Sequence, residues 1–127
     1  MHDKHLFEYA VIRVVPQVER EEFINVGVIL FCAKLKFLQA TYTLNEQRLT
    51  CFSRQPDAEE LKEHLCVFES ICAGTPQGGP IAQLDAASRF RWLTATRSTV
   101  VQCSKVHPGF CADPLETLMK LHEQLVL

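Results

Sequence analysis

The segments YAVIRVVP (residues 9–16) and INVGVILF (residues 24–31) decide the fold. Both are rich in β-branched residues, which pack well on the pleated surface of a sheet. Pro16 ends the first segment because it has no N–H for a strand ladder. Residues 17–23 carry four charged side chains, which is typical of a solvated connection. The sequence therefore predicts two strands of one sheet, at residues 7–15 and 24–32.

Three residues interrupt the apolar pattern of these strands. Arg13 lies between apolar neighbours on its own face. Asn25 can bond across to Arg13 or into the charged loop, or it can merely satisfy local backbone groups, and the sequence leaves both interpretations open. Gly27 within a strand is typical of a bulge or of the close approach of another backbone. We expect one of these two features at Gly27.

The rest of the chain predicts further strands and helices. A turn at residues 33–36 leads to a third strand at 37–43, which pairs back on the second. Residues 48–52 fit either a short strand or a helical turn. Helices are predicted at 57–73, at 80–92 and from 113 onward, because each segment has a helical apolar period or a start signal. Between them we expect an internal loop at 74–80, a strand at 99–103 and a turn at 106–109.

Strands followed by helices and one more strand predict an α+β domain. We expect a small antiparallel sheet of three to five strands with about three helices packed on one face. The other face would then be open for binding, with Tyr9, Val11 and Arg13 along it. The length of 127 residues fits a single domain, 1–127, with a loosely ordered segment at 1–6.

The composition argues against several classes of protein. A formal net charge of -2 disfavours a dedicated binder of nucleic acids or anionic membranes. No apolar run approaches the roughly 20 residues of a membrane span. The N-terminus lacks the basic segment and apolar core of a signal peptide. We therefore expect a cytoplasmic protein with no nucleic-acid or membrane partner.

Six cysteines raise the question of a metal site or disulfides. In a reducing compartment they are expected to be buried thiols, and no pair has the spacing Cys-x-x-Cys. The nearest metal pattern joins Cys103, His107 and Cys111, but it lacks a fourth ligand. We predict no metal and no cofactor.

The segment RFRWLTATRST (residues 89–99) is the most suggestive group of polar side chains. Guanidinium groups bind carboxylates and phosphates, hydroxyls add hydrogen bonds, and a tryptophan can stack on a base or an apolar patch. Alternatively, the arginines neutralise acidic residues of the same molecule. The candidate binding residues of the segment are Arg89, Arg91, Trp92, Arg97, Ser98 and Thr99, to which we add Arg13 and Asn25.

Catalysis has two weak candidates, Glu22 and His107. The imidazole changes its charge near neutral pH, so the two residues would form an acid/base pair if they met. A histidine that holds its turn through a backbone carbonyl is the competing interpretation.

Five motifs resemble a bacterial family catalogued as domain of unknown function 3037. They are YxVIRxVP (9–16), EFxNVGVIL (22–30), RFxWL (89–93), RSTVVQ (97–102) and HPG (107–109). The similarity runs from about Tyr9 to the last helix, and the motif positions include Arg13, Asn25, Arg89, Arg97 and His107. The resemblance implies no established activity. It implies a position beside a HipA-like kinase protein, and thus a partner role in that system.

Three hypotheses follow. The first is a non-catalytic partner or regulatory domain that binds another protein, such as a HipA-like kinase, through the open sheet face and an arginine-containing surface. The second is a small enzyme for a phosphorylated or carboxylated substrate, with Arg97 as anion clamp. The third, a nucleic-acid module, is disfavoured by the acidic balance. The sequence leaves a homo-oligomer open.

Overall fold

The computed structural model describes residues 4–15, 22–48, 58–95 and 100–127. Five antiparallel strands form one sheet in the order β3-β2-β1-β4, and β5 also pairs with β1. Their bounds are β1 His5–Val14, β2 Ile24–Cys32, β3 Phe37–Tyr42, β4 Val101–Cys103 and β5 His107–Cys111. The α+β class and the hairpins of the first three strands are confirmed. The first strand begins at His5, inside the segment expected to be loosely ordered.

Strand β5 replaces the turn that was predicted at residues 106–109. His107 and Gly109 lie opposite Tyr9 and Phe7 of β1. A side chain at Gly109 would meet the Phe7 ring at 2.6 Å, so only glycine lets that ring pack there. Pro108 is tolerated because β5 has a neighbour on one side only, among the described residues. Pro108 and Gly109 are typical of a turn, but here they lie in an edge strand that leaves room for the Phe7 ring.

Within the described residues, three α-helices of nine or more residues accompany the sheet: α1 Ala58–Ala73, α2 Ala86–Thr94 and α3 Pro114–Leu125. Gly74 ends α1 as predicted, with a φ of 75°. The predicted helix at 80–92 is two elements, because Leu84 is extended and Asp85 caps α2 by accepting a bond from the Ser88 N–H. The 74–80 loop holds the 3₁₀ turn Pro76–Gly78, and a second, Pro80–Gln83, follows. Of the segment 48–52, only Arg48 lies within the described residues.

The helices lie on both faces of the sheet, which corrects the expectation of one covered face. Helices α1 and α2 pack on the face of Ala10, Ile12 and Ile29, while α3 packs on the opposite face through Leu118. The second face is apolar because β2 alternates two sets of aliphatic residues, so a helix covers each set. Val11, expected on an open face, is buried. None of the described helices has the length and hydropathy to cross a bilayer.

The prediction for Gly27 is confirmed, since both expected features occur there. The pairing of β1 with β2 shifts by one residue between Ile12 and Arg13, which is a β-bulge. A Cβ on Gly27 would stand 2.5 Å from the carbonyl oxygen of Thr41. The bulge sets Arg13 directly opposite Asn25.

Candidate functional site

The arginines of the 89–99 segment do not form one surface. Arg89 turns inward: its Nη1 donates to the carbonyls of Cys72 at 2.7 Å and Ile71 at 3.2 Å, and its Nε donates to Leu84 at 3.0 Å. Arg91 is exposed. Arg97, Ser98 and Thr99 lie outside the described residues. Arg89 therefore stabilises the C-terminal end of α1, where a positive charge is favoured.

Trp92 lines a groove of about 480 Å³ between α1, α2 and β4. Helix α1 contributes His64, Val67, Phe68 and Ile71, which follow one another at helical spacing. The other wall and the floor come from Trp92, Leu93, Ala95 and residues 100–103. Three large apolar side chains at this groove stay well exposed: Val67 at 50%, Trp92 at 39% and Val100 at 38%.

The polar groups of the groove are few. The His64 Nε2 lies 3.9 Å from a carboxylate oxygen of Glu60, and the Cys103 thiol donates to the Leu93 carbonyl at 3.5 Å. Such a lining suits apolar side chains of a ligand and offers little that would hold a charged substrate.

Arg13 and Asn25 lie together beneath the C-terminal end of α3. The Asn25 amide donates to the Leu125 carbonyl at 3.1 Å, which neither open alternative had foreseen. The Arg13 guanidinium stands 3.8 Å above the centre of the Phe23 ring. The Arg13 Nε and the Asn25 Oδ1 are completely buried and have no hydrogen-bond partner in the described part of the chain.

Two further polar residues of this region were missed by sequence reasoning. His122 is 7% exposed, shares a 2.8 Å hydrogen bond with Thr43, and leaves its Nδ1 without a partner among the described residues. Burial lowers the pKa of His122 below its ordinary value. Arg48 donates to the Val126 carbonyl at 3.2 Å. The available signal was a histidine inside the apolar stripe of the last helix.

Glu22 and His107 are not brought together. His107 pairs with Tyr9 in the sheet, and its ring centre lies 5.3 Å from the Tyr9 ring. Glu22 precedes Ile24, which pairs with Val14. Five steps along β1, about 16 Å at roughly 3.3 Å per residue, separate these two pairings. This arrangement gives no acid/base pair.

The cysteines within the described ranges show no reactive or metal-binding arrangement. Cys103 pairs with Ile12 on one face of the sheet, whereas Cys111 pairs with His5 on the other. No group of three histidine, cysteine or acidic side chains converges within the described ranges. Burial raises the pKa of Cys72 to about 12 and that of Cys111 above its usual range. These two thiols are therefore protonated at neutral pH.

Fold and site together define a small α+β domain with an open apolar groove and a partly unsatisfied polar cluster under its last helix. The chain belongs to the family described as protein of unknown function (DUF3037), whose sequence model matches residues 9–126. The resemblance drawn from the motifs is thereby confirmed. Comparison with curated proteins and with solved structures gave no match.

Proposed function

We propose that this protein is a partner-binding domain that takes a segment of another protein into the groove between α1, α2 and β4. The observation that supports it is the exposure of Val67, Trp92 and Val100 around one concavity. Scattered exposed apolar residues are ordinary, but a cluster around a concave surface is typical of an interaction site. Tryptophan is also among the residues that contribute most to protein interfaces.

The partner should present an apolar side chain next to an acidic one. Arg91 immediately precedes Trp92 in the sequence. Its side chain is exposed and forms no ion pair with a described residue. A carboxylate beside the apolar anchor would meet this guanidinium at the edge of the interface. A HipA-like kinase, implied by the family resemblance, is the first partner to test.

The experiment compares two substitutions of exposed apolar helix positions by lysine. Val67→Lys places a charge in the groove, while the control Met119→Lys makes the same kind of change on α3, on the other side of the sheet. Each tagged protein is used to capture partners from its native host after nuclease treatment, and its binding to a purified HipA-like kinase is measured by calorimetry. We expect Val67→Lys to abolish a stoichiometric interaction that Met119→Lys retains.

Both variants should melt within about 3 °C of the parent protein, because lysine is well tolerated at exposed helix positions. Equal binding by the two variants would move the interaction away from the groove. The absence of any stoichiometric protein partner would contradict the proposal as a whole. No observation on the described residues favours the enzyme alternative over this one.

A further inference from the structure

The start of β1 and the end of β5 leave an apolar pair uncovered. Leu6 and Phe110 are direct cross-strand partners and therefore share a face of the sheet. They are 54% and 69% exposed. Helices α1 and α2 cover the same face further along, at Ala10 and Ile12, but not here. A phenylalanine and a leucine side by side in water form a patch and not a scattered residue.

Three lysines lie on the segments next to this patch. Lys4 precedes β1, and continuing the β1–β2 register from Glu8 and Phe31 brings Leu6 beside the turn at residues 33–36. That turn carries Lys34, the exposed Leu35 and Lys36. None of the three lysines forms an ion pair with a described residue. The acid that shares the strand face is Glu8, two residues further along β1 toward the covered part of the sheet.

The turn keeps a lysine where another residue would fit more easily. Lys36 has a φ of 53°, the only positive φ outside glycine among the described residues. Glycine or asparagine takes this left-handed conformation with less strain. Backbone strain of this kind is often found where a side chain has a function. The long cationic side chain at Lys36 thus coincides with an unpaired basic cluster.

We propose that Lys4, Leu6, Lys34, Leu35, Lys36 and Phe110, which we call the basic end, bind an acidic segment of a protein that also carries apolar side chains. The lysines complement carboxylates, and Leu6 and Phe110 take the apolar residues between them. A lipid bilayer fits less well, because the net charge of -2 opposes approach to an anionic surface.

The basic end is a second surface, separate from the groove. Phe110 pairs with Leu6 and Val101 pairs with Val14, so the two pairings are eight steps of β1, about 26 Å, apart. A single folded domain with two such surfaces joins two protein segments, or two parts of one partner. The proposal for the basic end stands on its own residues and does not require the groove.

The test uses a random twelve-residue peptide library displayed on phage and selected on the full chain, with Phe110→Ser as the counter-selection. Phe110 is so exposed that its replacement by serine should leave the fold intact, which a melting curve checks. We expect enriched peptides to combine Asp or Glu with Leu, Phe or Trp. Synthetic copies should bind at least about tenfold more weakly to Phe110→Ser and to the double variant Lys34→Glu/Lys36→Glu. Val67→Lys, in the groove, should bind them unchanged.

The substitution Lys36→Gly adds a readout that a structural role would not give. Relief of the left-handed strain should raise the melting temperature by a few degrees, while loss of the charge should weaken peptide binding. Enriched peptides without acidic residues, peptides that bind Phe110→Ser equally well, or no enrichment at all would overturn the proposal. The proposal would also be overturned if the protein bound no peptide but bound vesicles of phosphatidylglycerol and phosphatidylcholine in a way that depends on Phe110.

Discussion

Two regions of the molecule use side chains from distant parts of the chain to close the C-terminal end of a helix. At the end of α1, Gly74 and Thr75 donate their N–H groups to the carbonyls of Ile71 and Ser70. Arg89 donates to the Cys72 carbonyl and adds a second bond to that of Ile71. At the end of α3, Asn25 donates to the Leu125 carbonyl and Arg48 to the Val126 carbonyl. Both ends meet the same need, because the last carbonyls of a helix lack partners within it.

The two ends differ in what they leave unused. At the end of α1 the Arg89 guanidinium is committed to three backbone carbonyls. Near the end of α3, the Arg13 Nε, the Asn25 Oδ1 and the His122 Nδ1 are buried without a partner among the described residues. A buried polar group without a hydrogen bond lowers the stability of the fold by about 1–3 kcal/mol. Arg89 and Arg13, which both lie in the family motifs, therefore differ in how they contribute to stability. Arg89 uses its donors in direct hydrogen bonds, whereas the Arg13 Nε has no partner among the described residues.

Arg89→Met should have the largest effect on stability. Methionine keeps the helix propensity and approximates the aliphatic part of the side chain but removes three hydrogen bonds from a charged donor, so we expect the free energy of unfolding to fall by about 3 kcal/mol. Denaturation in urea measures it. The matched control is Arg91→Met, two residues away on the same helix and exposed, which should change stability by no more than about 0.5 kcal/mol. Equal losses in the two variants would show that the Arg89 contacts contribute little.

His122, near the end of α3, should make the stability of the fold depend on pH. Burial lowers its pKa below the ordinary value of 6.5 in the folded protein. Above about pH 6.5 both folded and unfolded states hold a neutral imidazole, so its contribution is constant. As the pH falls below that value, the unfolded state binds a proton first, and stability is lost down to the folded pKa at up to about 1.4 kcal/mol per pH unit.

The measurement is urea denaturation between about pH 7.5 and 5.5. We expect His122→Gln to flatten the profile over this window. A slope that persists in His122→Gln would assign the pH dependence to other groups.

The fold was largely predictable because its signals are local. The β-branched segments, Gly27, Gly74 and the Asp113 cap each indicate one element, and each is observed. The wrong predictions have a common cause, which is that residue types were interpreted without the contacts that they make in the folded protein. Turn residues at Pro108 and Gly109 were interpreted without the Phe7 ring that they accommodate. Likewise, one continuous helix was predicted where Asp85 starts a new one.

The site was less predictable because it depends on contacts between distant residues. Arg89 and Arg91 differ by two positions in the sequence, and only the packing of α2 against α1 decides which of them turns inward. His122 bonds Thr43, which is 79 residues away in the sequence. Exposure of Trp92 above a groove likewise results from the placement of α1, α2 and β4.

Arg13→Met should have the smallest effect of the three, although Arg13 lies in the middle strand of the sheet. The substitution loses the contact of the guanidinium with the Phe23 ring, worth about 0.5–1 kcal/mol, and removes a buried Nε that has no described partner. These terms oppose each other, so urea denaturation should show a change within about 1 kcal/mol of zero. A loss as large as that of Arg89→Met would mean that the Arg13 Nε is satisfied in solution, for example by a buried water between it and Asn25. The contrast between the two helix ends would then be one of water-mediated against direct bonding.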